Sequence, residues 1–244
     1  MIHRTTFTVS DFQLDSNGQL KLSALLGFAQ EAAGQHCALL GVDGKALSEK
    51  NLFWAVTRHK VVIRRLPQRG ETVTVQTWPM PTTRVAFPRS FAAFDEKEEL
   101  LFQGISIWIN MDSTNRKMVL PGKSGIHVEG TLLGWELEMP RSIMSKQWEN
   151  TTTRRVTYSC LDRNGHMNNT RYLDWVDDLL SSRFHADHSP KEFTICYFSE
   201  AREDQQITLN WALTEDTCLH VDAHRHDANT PDNTTGVFSA TVQF

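Results

Sequence analysis

Asp15-Ser16-Asn17-Gly18 returns as Asp162-Arg163-Asn164-Gly165, a displacement of 147 residues, and each copy is followed by a helix-like segment. Further along, Gly70-Glu71-Thr72-Val73-Thr74-Val75-Gln76-Thr77-Trp78 resembles Glu203-Asp204-Gln205-Gln206-Ile207-Thr208-Leu209-Asn210-Trp211 at a displacement of 133, so the second copy is shorter between helix and strands. Around the first copy, Thr5, Phe7 and Val9 alternate like a half-buried strand, and Leu22, Leu25, Leu26, Ala29, Ala33 and Leu40 then follow helical spacing. After Gly41 and Gly44 come four β-rich runs, at 54–66, 71–78, 84–94 and 101–109, separated by Pro, Gly or charged turn residues. The second copy reads alike, with a strand at 154–158, a helix from 169 to about 184, and strands near 193–197, 206–213, 217–223 and 237–242. In that helix Tyr172, Trp175, Val176, Leu179 and Leu180 form an apolar stripe opposite Asp174, Asp177 and Asp178.

One strand, one long helix and four strands, repeated, predict an α+β chain in which each helix is wrapped by a twisted antiparallel sheet. This is the hot-dog arrangement, and two in one chain make a double hot dog. The expected boundaries are 1–112 and 151–244, joined by a linker at 113–150 that holds Pro121 and Pro140 and lacks long periodicity. Edge-to-edge pairing of the two sheets, with the active site at their seam, completes the expectation.

With 244 residues, 40% hydrophobic and 22% charged, the chain is long enough to bury a core and too apolar for disorder. No apolar run approaches the ~20 residues of a membrane helix. The first residues lack a secretory pattern, which predicts a cytoplasmic protein with no membrane partner. Cys37, Cys160, Cys196 and Cys218 form no CxxC pair, so neither a zinc knuckle nor a redox dithiol is indicated. The net charge of −4 disfavours a nucleic-acid partner. A local basic patch, Arg58, Lys60, Arg64, Arg65 and Arg69, can still receive an acidic protein.

The densest polar cluster in the second half is Asp162-Arg163-Asn164-Gly165-His166-Met167-Asn168-Asn169. In an extended chain Asp162, Asn164 and His166 would share a face at intervals of roughly 6 to 7 Å. Asn168 or Asn169 would cap the following helix and direct its free amides at the same space, as an oxyanion site requires. Asp-x-Asn-Gly alone is a common turn. In the first copy, however, Gln19 stands for His166, and Lys21 and Leu22 for Asn168 and Asn169, so the turn does not need the polar cluster. A calcium loop would need Glu where the chain has Ala24 or Arg171. His220, His224 and His226 suggest a metal site less readily than a solvated hairpin end before 229–233. The Asn-x-Thr triplets at Asn150, Asn168 and Asn233 would matter only in a secreted protein.

Asp162-x-Asn164-x-His166-Met167-Asn168-Asn169-x-x-Tyr172-x-x-Trp175 resembles the signature of the acyl-acyl carrier protein thioesterases of plants and bacteria. The resemblance extends through Gln30-Glu31-Ala32-Ala33-Gly34-Gln35-His36, Trp54-Ala55-Val56-Thr57-Arg58, Gln76-Thr77-Trp78-Pro79 and Ser106-Ile107-Trp108. It implies hydrolysis of fatty acyl-acyl carrier protein in fatty acid biosynthesis, without a cofactor or metal. It also implies a catalytic network of Asp162, Asn164, His166 and Glu200. Many plant members carry a cysteine after the glutamate; here it is Ala201, which gives a Cys–His mechanism no support, and Cys160 reads as a core residue. By the same resemblance the acyl chain lies in the first unit, near Gly27, Gly34 and Trp54, and the basic patch docks acyl carrier protein.

A thiol leaves readily, so the harder tasks are activating water and holding the oxyanion. Asp162 or Glu200 fits the attack, directly or through water, with His166 positioning and moving protons. Acyl-coenzyme A hydrolysis, hydroxyacyl-thioester dehydration and non-catalytic acyl-thioester binding remain alternatives, and a homodimer stays open.

Overall fold

The computed structural model describes residues 1–133, 138, 148–215, 217–227 and 230–244, and the chain divides into two units, Met1–Pro140 and Arg141–Phe244. No helix among the described residues is long and apolar enough to cross a membrane.

The first unit opens with β1 (His3–Thr8), whose alternate exposure matches its alternate residues. Helix α1 (Leu22–Leu39) follows, and then a short α2 (Gly44–Ser48) started by Asp43, whose carboxylate accepts from the Ala46 amide at 2.9 Å. Strands β2 (Leu52–Ile63), β3 (Thr72–Pro79), β4 (Phe87–Phe94) and β5 (Leu100–Asp112) form an antiparallel sheet in the order β1-β3-β4-β5-β2. Helix α1 lays Leu22, Leu25, Leu26, Phe28, Ala29, Ala32, Ala33 and His36 into the core, and Phe28 stacks on Phe7 of β1 at 4.7 Å. Burying a side chain such as Leu25 or Phe28 is worth about 1.5–3 kcal/mol. That makes this face, more than helix propensity, the reason the helix forms here. Strand β4 is buried along its whole length. At Gly104 of β5, a Cβ would sit 2.3 Å from Phe91 Cζ and 2.7 Å from the Lys60 carbonyl, so only glycine lets Phe91 cross the strand.

Part of the expected linker is structured. β6 (Met118–Val119) pairs with β5, α3 (Pro121–Ser124) follows, and Ile126 is buried with Val42, Leu47, Leu52 and Phe87. The apolar residues between Pro121 and Val128 are too few for a period to show, yet enough to close this cluster. Residues 134–137 and 139–147 of that segment lie outside the described residues.

The second unit contains β7 (Asn150–Arg155), α4 (Arg171–Asp177), α5 (Ser182–Asp187), β8 (Glu192–Tyr197), β9 (Gln206–Thr214), β10 (Cys218–Asp227) and β11 (Thr230–Gln243), with sheet order β8-β11-β10-β9-β7. Strand β7 begins four residues before the expected 154–158, and the chain then enters a 3-10 turn at Tyr158–Cys160. The single helix expected from 169 to 184 is broken. The amides of Leu179 and Leu180 bond three residues back, to Val176 and Asp177, and the Ser181 hydroxyl accepts from Phe184 to start α5. Asp177 and Asp178 also crowd negative charge at the negative end of the α4 dipole. The turn expected at 229–233 is displaced as well. Asp227 pairs with Thr230 while His226 pairs with Thr234, so 231–233 are accommodated as a bulge; Asn229 lies outside the described residues.

The repeat is real but its strand register is off by one. Thr8 pairs with Thr72 in the first unit and Arg155 with Gln206 in the second. The offset of 147 therefore holds at the turns, while the strands are displaced by 134 instead of 133. Trp78 corresponds to Ala212, each 2% exposed, and not to the half-buried Trp211. A one-residue slip sends every side chain to the other face, which is why two tryptophans made a misleading match.

Gly27 and Gly34 do not pack closely on the sheet. Gly34 is exposed, and a Cβ at either position meets no atom within 4 Å. Gly34→Ala should therefore raise stability by up to about 1 kcal/mol, the interior-helix difference between the two residues, read as a higher Tm in thermal unfolding. A fall in Tm would mean that the bare backbone is needed there.

Candidate active site

The two Asp-x-Asn-Gly turns have one geometry. Asp162 Oδ1 accepts from the amides of Asn164 at 2.7 Å and His166 at 3.3 Å, the Asp162 amide donates to the His166 carbonyl at 2.7 Å, and Gly165 has φ +74°. In the first unit Asp15 Oδ1 accepts from Asn17 at 2.8 Å and Gln19 at 2.9 Å, the Asp15 amide donates to Gln19 at 2.8 Å, and Gly18 has φ +76°. The left-handed backbone suits glycine, which has no Cβ to clash. Asp162, Asn164 and His166 thus lie on a tight turn, not on one face of an extended chain. Asp162 spends one oxygen holding that turn, and Asn164 is exposed.

His166 Nε2 stands 3.3 Å from Glu200 Oε2, with the imidazole 14% and the carboxylate 37% exposed. The backbone brings them together. His166 bridges to Arg202, and the Met167 amide donates to the Ala201 carbonyl at 2.8 Å. Arg225, next to the β10 register shift, donates through Nη1 to the Glu200 carbonyl at 2.8 Å and to Ser199 Oγ at 3.0 Å; Ser199 Oγ in turn donates to the Gly236 carbonyl at 2.7 Å. By the strand register, Leu66 stands in the first unit where Glu200 stands in the second, so the first turn has neither the imidazole nor the acid.

Two groups escaped the sequence reading. Tyr172 read as part of an apolar stripe and of the long motif, with no role of its own, yet the Ala201 amide hydrogen-bonds its hydroxyl oxygen beside Glu200 and Asp162. Burial, and secondarily the Glu200 carboxylate, push that hydroxyl well above the usual tyrosine range. Tyr172 also meets Tyr197 and Phe238 edge-on, at 5.6 and 4.9 Å. Arg225 gave no signal, because a lone arginine in a strand does not announce that a bulge turns it toward a loop.

The expected helix cap shifts. α4 has seven residues and its N-cap is Thr170; Asn168 instead accepts, through Oδ1, from the amide and hydroxyl of Thr170 at 3.0 Å each. The amides of Arg171 and Leu173 are bonded to the carbonyls of Asn168 and Thr170, and the Asn169 carbonyl accepts from the Tyr197 hydroxyl at 2.8 Å. Little of this helix end is left for an oxyanion. Cys160 is half-buried, 3.4 Å from Thr157 Oγ1.

Elsewhere the expected residues divide. Trp54 donates through Nε1 to the Val42 carbonyl at 2.8 Å and meets Phe87 edge-on at 5.0 Å, inside an apolar cluster. A Cβ at Gly27 or Gly34 would meet no atom within 4 Å, and Gly34 is exposed while Gly27 is half-buried. Of the basic patch, Arg65 pairs with Glu71 at 2.8 Å and Asp95 at 3.3 Å, and Arg69 with Asp11 at 2.7 Å. Their charge is largely answered within the unit. Arg58 and Lys60 share one face of β2, and Arg64 is exposed beyond its end. His220 is buried in the sheet, 3.2 Å from Cys218 Sγ, and not at a solvated hairpin end; His224 and His226 lie nearer that end, with ring centroids 5.6 Å apart. Among the described residues no group of three or more His, Cys, Asp or Glu is placed to hold a metal ion.

Comparison with known proteins agrees with this anatomy. The acyl-ACP thioesterase N-terminal domain pattern matches residues 1–120, and the C-terminal domain pattern matches 144–236. A palmitoyl-acyl carrier protein thioesterase of Gossypium hirsutum is 23% identical over 222 residues, 85% of this chain and 54% of its own length. A dodecanoyl-[acyl-carrier-protein] hydrolase of Cinnamomum camphora is 24% identical over 85% of this chain and 58% of its own length. The chain thus spans about half the length of these curated relatives. Among solved structures, an acyl-ACP thioesterase from Bacteroides thetaiotaomicron has TM-score 0.89 at 24% identity, covering 100% of this chain and 97% of that one. The 12:0-ACP thioesterase from Umbellularia californica has TM-score 0.82 at 19% identity, covering 99% of this chain and 96% of the other. These likenesses carry the fold, a double hot dog. With both domain patterns matched in order, and the acid–imidazole pair standing in the second, the chain belongs to the acyl-ACP thioesterase family.

Proposed function

We propose that the chain hydrolyses fatty acyl thioesters of acyl carrier protein to free fatty acid and the carrier thiol, with Glu200 and His166 as the reacting pair. The observation that carries this reading is the 3.3 Å contact of His166 Nε2 with Glu200 Oε2, built on a turn whose copy in the first unit has neither group. Glu200 takes a proton from water as it attacks the thioester carbonyl. His166 orients the carboxylate and returns a proton to the departing sulfur, which needs little help because thiols are acidic. Asp162 holds the turn, and the exposed Asn164 carboxamide is the donor on that turn for the developing oxyanion. The carrier as substrate is supported by the names of the relatives above. A reducing compartment, the cytoplasm, is supported by four cysteines that stand as free thiols.

Purified protein incubated with acyl carrier protein thioesters should release free acid. His166→Ala and Glu200→Gln should each lower kcat by at least ~10²-fold, while Gln19→Ala leaves it nearly unchanged. Equal losses at Gln19 and His166 would remove the pair from the mechanism, and an enoyl thioester as product would make the enzyme a dehydratase.

Arg225→Met should lower kcat about 10-fold or more with KM little changed, because Glu200 loses the anchor of its carbonyl. Arg225→Lys should recover part of that loss. A proportional drop in folded protein, with normal kcat per folded molecule, would reduce Arg225 to a structural role.

For the carrier, reversing charge at Arg58, Lys60 and Arg64 should raise KM for carrier-bound substrate, more at low salt than at high, and spare short pantetheine thioesters. A uniform loss on both substrates would indicate damaged folding instead of docking.

A further inference from the structure

Tyr172 of α4 carries a hydroxyl that packing does not require. The residue is 3% exposed, and Trp175, Tyr197 and Phe238 meet its ring edge-on with centroids 6.2, 5.6 and 4.9 Å away. Phenylalanine would fill the same space. A buried hydroxyl costs free energy unless it is hydrogen-bonded, and this one accepts from the amide of Ala201, itself wholly buried. That amide in turn needs an acceptor inside the protein. The other end of the same peptide, the Glu200 carbonyl, accepts from Arg225 Nη1 at 2.8 Å. A peptide is one planar unit, so bonds at its N–H and its C=O together hold the plane from which the Glu200 side chain springs.

The first unit shows the fold without this bond. The offset of 147 carries through the exits of both turns, where the Lys21 amide donates to the Gln13 carbonyl and the Asn168 amide to the Cys160 carbonyl. It places the buried Leu25 at the position of Tyr172. The offset of 134 holds along the loop, where the Glu71 amide donates to the Gln68 carbonyl and the Gln205 amide to the Arg202 carbonyl. It places Pro67, which has no N–H, at the position of Ala201. Donor and acceptor are both present beside the His166–Glu200 pair and both missing where that pair is missing. A bond needed only by the fold would be kept in both copies. Burial holds the phenol well above the usual tyrosine range, so at neutral pH it stays protonated and takes no proton from water.

We propose that Tyr172 is a positioning residue: its hydroxyl oxygen, accepting the Ala201 amide, clamps the Glu200–Ala201 peptide opposite Arg225 and so fixes the Glu200 carboxylate beside His166. That the pair reacts rests on the thioesterase reading; the clamp does not.

Tyr172→Phe keeps the ring and removes the acceptor, so the Ala201 amide is satisfied only if the loop moves. With acyl carrier protein thioesters, kcat per folded molecule should fall at least ~10-fold while KM stays within about 2-fold, because geometry at the pair is lost and substrate binding is not. In the Glu200→Gln background the same change should cost less than about 2-fold more, since the carboxylate it places is already gone. A second readout needs no turnover. In NMR spectra of ring-labelled histidine, the His166 resonance, assigned by its loss in His166→Ala, should shift in Tyr172→Phe in the direction it shifts in Glu200→Gln. Ala201→Pro removes the amide instead of the acceptor and installs the residue that the first unit already accommodates. It should lower kcat and shift the His166 resonance in the same way, and it decides the question if Tyr172→Phe does not fold. Unchanged kcat, a change in KM alone, an unshifted His166 resonance, or a full ~10-fold further loss in the Glu200→Gln background would each overturn the proposal. If the parent released no acid from carrier thioesters, the thioesterase reading would fail, and the histidine resonance would still decide the clamp.

Discussion

One carboxylate oxygen accepting two backbone amides, two and four residues ahead, is the interaction on which the second unit's chemistry depends. Hydrogen bonds to a charged acceptor are worth about 1.5–3 kcal/mol each, and here they hold a turn that Gly165 alone would leave loose. The turn sets the His166 backbone against Arg202, and that bridge brings the Glu200 loop alongside the imidazole. In the first unit the same bonds, made by Asp15, support a turn carrying Gln19. The backbone solution is common to both units; the imidazole and the acid beside it are found in one.

What holds the acid is different in kind. Glu200 sits in a loop after β8, and its carbonyl is fixed by an arginine from β10 while the next amide meets the Tyr172 hydroxyl from α4. Two separate elements, β10 and α4, therefore converge on the single Glu200–Ala201 peptide group. The carboxylate stays partly exposed, where water can reach it.

Much of this was legible in sequence because it is periodic or repeated. The alternation in β1, the spacing of Leu22, Leu25, Leu26, Ala29 and Ala33, and the doubled Asp-x-Asn-Gly all report local geometry, and they located α1, most strands and the turn. His166 stood out because Gln19 replaced it. What failed was whatever needed an unseen partner. The single helix at 169–184 read as continuous because its apolar stripe is; the break comes from the Ser181 cap and from tightened bonds at Leu179 and Leu180. The N-cap position falls at Thr170, whose amide and hydroxyl both donate to Asn168 Oδ1, two residues back. Gly34 was placed near the acyl chain by resemblance alone, and no pattern in the sequence told which side of α1 it lies on; a Cβ there would meet no atom within 4 Å.

The break between α4 and α5 bears on the order in which the chain assembles. An isolated helix shorter than about 12–15 residues is marginal in water, since the first turn fixes several dihedrals for one bond. Helix α1, with 18 residues, clears that length; α4 and α5, with seven and six, do not. Transient helix can therefore form at α1 before its sheet exists, whereas α4 persists only once Tyr172 has Tyr197 and Phe238 to rest on, residues 25 and 66 positions further along the chain. The half that carries the acid and the imidazole is thus the one whose folding waits on distant contacts, among them those of the last strand, β11, with β8 and β10.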